Sequence, residues 1–219
     1  MNASGHSSAL KIAPTRGALL LNLLTLWTQE LHMVRTSLSD PIRIAELAVG
    51  PQGGAIGVTF APGKFQESAM TGAWARDIDI DLVAIRAWGA DHLITLIEPW
   101  EFDELRIVSL PERAAAHGLI WHCLPITDGA APDARLLDRW ETLGPTLSRE
   151  LLAGRKVVVH CKGGLGRAGT VASMLLLDTG TARDGDDAIR MIRQVRPGAV
   201  ETHAQEAFIR EWTHVTMLR

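Results

Sequence analysis

The chain has 219 residues, a length that suits one α/β domain or one domain with a short extension. Apolar residues make up 47% of it, which is enough for a packed core and lies outside the range of disordered chains. With 22 basic and 25 acidic residues the formal net charge is −3, so neither nucleic acid nor an anionic membrane surface is predicted as a partner. Two cysteines are too few for a disulfide framework and indicate a reducing, cytoplasmic compartment.

Residues 1–50 are predicted to form an N-terminal extension, helical or partly disordered, ahead of a domain at 51–219. Residues 17–27 have the length of a signal-peptide apolar region, but no small-residue cleavage site follows them. We therefore prefer a cytoplasmic amphipathic helix to a signal, and a natural start at Met33 is a third interpretation that stays open. No run reaches about eighteen apolar residues, so no stable membrane association is predicted.

From residue 55 onward, short apolar runs alternate with longer stretches of helical periodicity. Strands are predicted at 55–60, 92–97, 119–124 and 156–160, and helices at 78–88, 111–117, 133–152, 167–177, 185–196 and 202–217. The β-branched residues of the fourth strand are typical of a central strand that is covered on both faces. The alternation predicts an α/β fold with a central, twisted, mostly parallel sheet flanked by helices.

The most informative segment joins the fourth strand to the next helix. The strand ends in His160-Cys161, five residues follow of which three are glycine, and Arg167 opens the helix. Glycines let successive backbone N–H groups turn inward to form an anion-binding nest, and a helix N-terminus adds further donors. The segment therefore predicts a phosphate-binding loop, in which Arg167 grips two oxygens. The other predicted phosphate-binding residues are Lys162, Gly163, Gly164, Leu165 and Gly166.

Cys161 is the candidate nucleophile of this loop. The same cationic surroundings favour a thiolate over a thiol, and the thiolate is the attacking species. The alternative interpretation is a small buried cysteine beside an ordinary glycine turn. The combination of an apolar strand, His-Cys, a glycine-rich loop and an arginine at a helix start argues against that alternative.

The pattern His160-Cys161-x5-Arg167 resembles the signature of the protein tyrosine and dual-specificity phosphatase superfamily. The loop is most similar to the kinase-associated phosphatase (cyclin-dependent kinase inhibitor 3) branch. Segments 60–65 and 125–133 also resemble that branch, so the resemblance covers roughly residues 55–212. It implies the cysteine-phosphatase fold and the hydrolysis of phosphotyrosine, phosphoserine or phosphothreonine in phosphoproteins. It also implies a cysteinyl-phosphate intermediate and no metal or other cofactor.

Hydrolysis of a phosphate ester needs an acid that protonates the leaving oxygen. Asp128 and Asp133 both lie in the loop after the third strand. Asp128 matches the family's acid by position and is followed by Gly129, which would serve as a hinge. Asp133 suits the first turn of the following helix, where an acid is favoured for structural reasons. We predict Asp128 as the general acid and keep Asp133 as the alternative.

The sequence departs from the family pattern at two places. Ala168 stands where the family has a serine or threonine whose hydroxyl bonds the cysteine sulfur, and Thr170 is the candidate substitute. Glu201 stands where many members have the first of two water-positioning glutamines, and Gln205 matches the second. Gln205 is therefore a candidate for positioning the attacking water, while a plain helix start with Glu201 in its first turn is the alternative.

The sequence leaves three alternative functions and the pairing of Cys123 undecided. The loop would also suit a catalytically weak phosphate-binding module, a phosphoinositide phosphatase or a sulfur-transferring rhodanese. Lys162 favours phosphoinositides, but Leu165 stands where those relatives have a second basic residue. Cys123 is either a buried, inert thiol or a partner of Cys161 in a reversible disulfide. The physiological substrate and the oligomeric state are not predicted.

Overall fold

The computed structural model describes residues 34–69 and 72–212. Its strands are β1 (Ala45–Val49), β2 (Gly54–Phe60), β3 (Phe65–Gln66), β4 (Trp74–Ala75), β5 (His92–Thr95), β6 (Ile120–Cys123) and β7 (Lys156–Cys161). Its helices are α1 (Ile78–Trp88), α2 (Pro99–Glu104), α3 (Leu110–Ala116), α4 (Ala134–Leu152), α5 (Gly166–Asp178), α6 (Gly185–Val195) and α7 (His203–Glu211).

The main sheet has the order β1-β2-β7-β5-β6. Strand β1 is antiparallel to β2 and every other neighbouring pair is parallel, while β3 and β4 form a separate hairpin. The central strand β7 is buried on both faces: Val157 and Val159 pack into one core and Val158 into the other. The first core also holds residues of α4 to α7, and the second holds residues of α1 and α3. The predicted mostly parallel sheet flanked by helices is confirmed.

Four elements of the described residues were not predicted, namely β1, the hairpin strands β3 and β4, and α2. Residues 45–49 fall in the predicted extension, yet they form β1, which pairs with β2 at the edge of the main sheet. The main sheet therefore includes residues that precede 51, while the division into 1–50 and 51–219 stays a prediction. Helix α2 follows β5 directly at Pro99. The predicted last helix ends at Glu211, and the rest of its range after residue 212 lies outside the described residues, as do residues 17–27 and Met33.

The topology gathers the candidate site at one edge of the sheet. The four parallel strands end at the same edge, so the segments that follow β2, β5, β6 and β7 meet there. The segment after β2 is fixed by Gly63, whose φ of 72° is left-handed and whose N–H donates to Asp81 Oδ2 at 2.9 Å. Asp81 in turn forms a buried ion pair with Arg76 at 2.7 Å. This arrangement sets Lys64 beside the loop that follows β7.

Of the helices in the described ranges, none has the length and apolar character that a membrane crossing needs.

Candidate active site

The loop after β7 folds tightly around the sulfur of Cys161. The residue is 3% exposed, and the backbone N–H of Gly164 donates to its Sγ at 3.2 Å. Gly164 has a φ of 70°, and a Cβ at this position would lie 2.4 Å from the carbonyl carbon of Thr59. Only glycine fits here, because a side chain would be strained and would collide with the neighbouring strand.

Two cations hold the loop by its carbonyl groups. Arg196 donates from Nε to the Gly164 oxygen at 2.9 Å and from Nη2 to the Gly163 oxygen at 3.0 Å, and Lys64 Nζ donates to the Lys162 oxygen at 3.4 Å. In a trans peptide the N–H points away from the carbonyl of the same unit, so these contacts turn three successive N–H groups to the opposite side. That is the side on which Gly164 N–H reaches Cys161, and it forms the anion nest of the loop.

Arg167 completes the nest with a buried guanidinium. The residue is 2% exposed, and its Nη1 and Nη2 donate to Glu101 Oε2 at 2.5 Å and Oε1 at 3.0 Å. Nη1 also lies 3.3 Å from the Ile126 carbonyl oxygen. Its Nε has no hydrogen-bond partner among the described residues. A buried donor without a partner is unfavourable, and a phosphate oxygen in the nest would satisfy it.

The two candidate acids have different surroundings. Asp128 Oδ1 lies 3.1 Å from Arg167 Nη2, and its side chain is 72% exposed, which places it at the mouth of the nest. Asp133 caps α4 by accepting from the N–H of Arg135, and its carboxylate pairs with the Arg135 side chain at 2.9 Å. That side-chain hydrogen bond lowers the pKa of Asp133 and so makes it a poor proton donor. The structure thus places Asp128, and not Asp133, beside the loop that runs from Cys161 to Arg167.

Comparison with known proteins identifies the family. A profile described as the Swiss Army Knife protein, DSP-PTPase phosphatase domain (PTP-SAK), matches residues 78–209, a range that contains Cys161, Arg167 and Asp128. The chain belongs to this phosphatase-domain family. The predicted resemblance to the dual-specificity and tyrosine phosphatases is thereby confirmed.

Individual relatives agree with the profile. Cyclin-dependent kinase inhibitor 3 of Rattus norvegicus is 31% identical over 138 residues, which span 63% of this chain and 64% of the relative. Protein tyrosine phosphatase type IVA 2 of Mus musculus is 40% identical over 88 residues, or 40% of this chain and 49% of the relative. The crystal structure of kinase associated phosphatase with its catalytic-site cysteine replaced by serine has a TM-score of 0.67 and 26% identity, covering 78% of this chain and 93% of that one. The chain thus spans about two thirds or less of the length of these curated relatives.

Residues 124–133 form the loop that carries the predicted acid Asp128, here called the acid loop, and hydrogen bonds hold this loop on two sides. On one side Glu98 accepts from Thr127 Oγ1 at 3.0 Å and from both Nη atoms of Arg135, at 2.9 and 3.1 Å. The hydrogen bond from Arg135 lowers the pKa of Glu98 and keeps it ionised. On the other side Thr202 Oγ1 donates to the Gly129 carbonyl oxygen at 3.0 Å. These contacts hold Asp128 over Arg167.

The segment that carries Glu201 and Gln205 begins α7 with a capping box. Gln205 Oε1 accepts from Glu201 N at 2.9 Å, while its Nε2 donates to the Ala130 carbonyl oxygen of the acid loop at 3.1 Å. The water-positioning role of Gln205 stays a prediction, because both ends of its amide are engaged in this conformation. Glu201 Oε2 accepts from the loop N–H of Gly166 at 2.7 Å. Thr170 donates its hydroxyl proton to the Gly166 carbonyl oxygen, so that proton does not reach Cys161.

His160 and Cys123 are structural residues in this fold. His160 is fully buried, its Nε2 lies 2.7 Å from Thr95 Oγ1, and burial lowers its pKa to about 3, which keeps the ring neutral. Both cysteines are free thiols. Thr95 of β5 pairs with Cys123 on one side and with His160 on the other, so the Cα atoms of Cys123 and Cys161 lie about two strand spacings, or roughly 10 Å, apart. That separation is too long for a disulfide, and burial raises the pKa of Cys123.

Four residues of the site were missed from the sequence: Lys64, Glu98, Glu101 and Arg196. Glu98 and Glu101 lie at the start of α2, and Pro99 at the first helical position was a signal of that start in the sequence after the predicted strand 92–97. Lys64 and Arg196 lie 98 and 32 residues from the loop carbonyls they contact, and no local pattern reveals such pairs.

Within residues 34–69 and 72–212, no group of three or more His, Cys, Asp or Glu side chains is arranged to hold a metal ion.

Proposed function

We propose that this chain is a phosphoprotein phosphatase that hydrolyses phosphotyrosine, phosphoserine or phosphothreonine through a cysteinyl-phosphate intermediate. The observation that carries the proposal is the arrangement of Cys161 Sγ, the inward N–H groups and the Nε of Arg167, which has no hydrogen-bond partner in the described part of the chain. A phosphate dianion bound there accepts hydrogen bonds on its oxygens while its phosphorus faces the sulfur. Its free thiols suit a reducing compartment such as the cytoplasm.

The first step transfers the phosphoryl group to the protein. The Cys161 thiolate forms a sulfur–phosphorus bond as the bond from phosphorus to the substrate oxygen breaks. The loop N–H groups and Arg167 stabilise the charge on the three other oxygens. Asp128, in its protonated form, gives its proton to the departing oxygen, which leaves as a neutral hydroxyl group.

The second step returns the enzyme to its starting state. Asp128, now a carboxylate, takes a proton from a water molecule as its oxygen attacks phosphorus. The sulfur–phosphorus bond breaks, inorganic phosphate forms and Cys161 leaves as a thiolate. Ala168 has no hydroxyl group to offer the departing sulfur, and the hydroxyl of Thr170 donates to the Gly166 carbonyl oxygen instead. The N–H of Gly164 is therefore the donor that stabilises the departing thiolate.

Turnover of p-nitrophenyl phosphate and of a phosphopeptide tests the proposal. Cys161→Ser should abolish both activities while the circular dichroism spectrum is retained, because a serine hydroxyl is a far weaker nucleophile than a thiolate. Asp128→Asn should lower kcat on the phosphopeptide by about 10²-fold or more and lower it less on p-nitrophenyl phosphate, whose leaving group needs little protonation. Phosphatase activity that survives in Cys161→Ser contradicts the mechanism.

A catalytically weak phosphate-binding module is the second candidate, and one contact favours it. The carboxylate of Glu201 occupies the N–H of Gly166, one of the donors that a phosphate would use. The same assays separate the two functions. Phosphopeptide binding without release of inorganic phosphate by the unaltered protein would assign the chain to the binding class.

A further inference from the structure

A buried lysine lies behind the catalytic loop without an acidic partner. Lys64 is 5% exposed, and none of the ion pairs formed within residues 34–69 and 72–212 includes its ammonium group. A buried charge is costly unless an opposite charge lies nearby, so buried lysines are normally paired. The position of Lys64 therefore points to a counter-charge other than a carboxylate of the fold.

Uncharged groups hold the ammonium ion in place. Its Nζ lies 4.1 Å from the ring centroid of Trp74 and 5.0 Å from that of Phe60. It also donates to the Lys162 carbonyl oxygen at 3.4 Å, and the backbone nitrogen of Ala61 lies 3.5 Å from the same oxygen. Aromatic faces and a carbonyl oxygen attract a cation but do not cancel its charge. Lys64 is thus fixed against the loop without being neutralised.

The charged groups that act on Lys64 come from three segments, and among the described residues one of them is negative. Arg76, Lys162 and Arg196 are cations. Burial, followed by the charge of Arg76, lowers the pKa of Lys64 to about 8, whereas negative charge on Cys161 acts to raise it. Protonation of Lys64 and negative charge in the nest therefore favour each other.

The acids of the neighbouring segments have cationic partners of their own. Asp81 forms its buried ion pair with Arg76 at 2.7 Å. Asp40 lies 3.8 Å from Arg35 Nε, at the surface. Neither carboxylate is placed to neutralise Lys64.

A negative charge can reach Lys64 from the nest. Phe60, at the end of β2, pairs with Cys161, at the end of β7, so the segment that carries Lys64 leaves the sheet beside the sulfur. That sulfur receives a hydrogen bond from Gly164 and none from the side chain at position 168, which is alanine. We propose that Lys64 is the counter-ion of the nest, which balances the charge of the Cys161 thiolate and of the phosphoryl group that binds there. This inference rests on the proposed function, because it requires that the nest receives a phosphoryl group.

The charge of Lys64 makes oxyanion binding depend on pH. The pKa of about 8 means that the ammonium ion is lost as the pH rises through 8, and the affinity for an oxyanion should fall over the same range. A bound dianion raises that pKa in return. Binding at pH 8 should therefore be accompanied by the uptake of a proton from solution.

Calorimetric titration of sulfate into Cys161→Ser at pH 8 measures this uptake. Sulfate does not titrate near pH 8, and the serine removes the thiol, which could take up a proton of its own. Titrations in two buffers of different ionisation enthalpy should show uptake of roughly half a proton or more per sulfate. The double variant Cys161→Ser, Lys64→Met should take up about none. No uptake by Cys161→Ser, or equal uptake by both proteins, overturns the inference.

Lys64→Met alone tests the effect on the thiolate. Alkylation of Cys161 by iodoacetamide at pH 6, followed by mass spectrometry, should be about fivefold slower, and kcat/KM on a phosphopeptide at pH 7 about tenfold lower. The midpoint of urea unfolding should be no lower than in the unaltered protein, because an unpaired buried charge is replaced by an apolar stem. Lys64→Arg keeps a cation and should restore most of the alkylation rate.

Lys156→Met is the matched control. The Nζ of Lys156 likewise donates to a backbone carbonyl oxygen, that of Trp88, at 3.4 Å and lies 4.6 Å from the Trp88 ring, but at the opposite end of β7 from Cys161. Its replacement should leave the alkylation rate and kcat/KM unchanged.

A purely structural role for Lys64 predicts a different set of results. In that case Lys64→Met would lose folding stability together with activity, or would not fold, and either outcome contradicts the inference. Alkylation at the unaltered rate also contradicts it. Failure of the proposed function looks different, because the unaltered protein would then hydrolyse no phosphopeptide. The alkylation rates and the sulfate titrations would still decide whether Lys64 is the counter-ion of the nest.

Discussion

At the scale of single residues, Arg167 shows how one side chain is prepared for a ligand. Glu101 holds two of its nitrogens, which fixes the plane of the guanidinium, and Nε is left for the nest. The carboxylate also balances the charge of a buried arginine, which would otherwise be costly. Because the geometry is fixed before the substrate arrives, little entropy is lost when phosphate binds.

Glu201 should weaken oxyanion binding in the unaltered protein. Its carboxylate accepts from Gly166 N–H, so it stands close to the place where a phosphate oxygen would lie. Glu201→Gln keeps a hydrogen-bond acceptor but removes the like charge, an effect of about 1 kcal/mol or roughly fivefold. The inhibition constant of vanadate or inorganic phosphate should fall by that factor. Glu211→Gln, which removes an exposed charge at the end of α7, is the control. Equal or weaker inhibition in Glu201→Gln would show that the carboxylate does not face the ligand.

At the scale of elements, the acid loop depends on α2, α4 and α7. Glu98 begins α2, Arg135 lies in the first turn of α4 and Thr202 caps α7, and each has a contact that holds the loop near the nest. None of these residues touches the reacting atoms. They are positioning residues, and their contribution depends on how closely they hold Asp128 to Arg167.

Arg135→Ala should lower kcat on a phosphothreonine peptide by about tenfold. The substitution removes the hydrogen bonds to Glu98 that hold the acid loop, so Asp128 spends less time beside Arg167. The loss on p-nitrophenyl phosphate should be smaller, since that leaving group depends less on an acid. This difference separates positioning from a general loss of folded protein, which would lower both activities equally. Arg149→Ala on the same helix should leave both unchanged. An equal loss on the two substrates would refute the positioning role.

The elements also show what sequence can predict. The loop from Cys161 to Arg167 was predicted because strand, glycines and helix start are contiguous, and each leaves a local pattern. Strand β1 was missed because a five-residue edge strand with two buried positions leaves only a weak periodic signal. The contact of Glu101 with Arg167 spans 66 residues and depends on how β5 and β7 lie side by side. Such pairs follow from topology, which a single sequence specifies only in part.

At the scale of the whole molecule, the sheet separates two cores and brings the chemistry to one edge. Alternate residues of β7 pack into opposite cores, so the strand that carries Cys161 is held from both faces. His160, one residue earlier, is buried in this same strand beside Thr95. The rigid strand therefore supports the nest, and its stability depends on keeping that histidine neutral.

The stability of the fold should decrease with falling pH partly through His160. Burial lowers its pKa from 6.5 to about 3 in the folded protein, whereas the unfolded chain binds a proton near pH 6.5. Its stabilising effect is thus fully present above pH 6.5 and is lost progressively as the pH falls toward 3. Between pH 7 and pH 5 this one group should remove about 2 kcal/mol from the free energy of unfolding.

Urea unfolding of the unaltered protein, His160→Gln and His203→Gln at pH 7 and pH 5 measures this contribution. His160→Gln should be less stable at pH 7, because it disturbs the packing and the bond to Thr95, yet it should lose about 2 kcal/mol less between the two pH values. His203→Gln, which replaces an exposed histidine on α7, is the matched control. If His160→Gln loses as much stability as the unaltered protein over this interval, the ring is not held neutral by burial, and the acid sensitivity of the fold arises elsewhere.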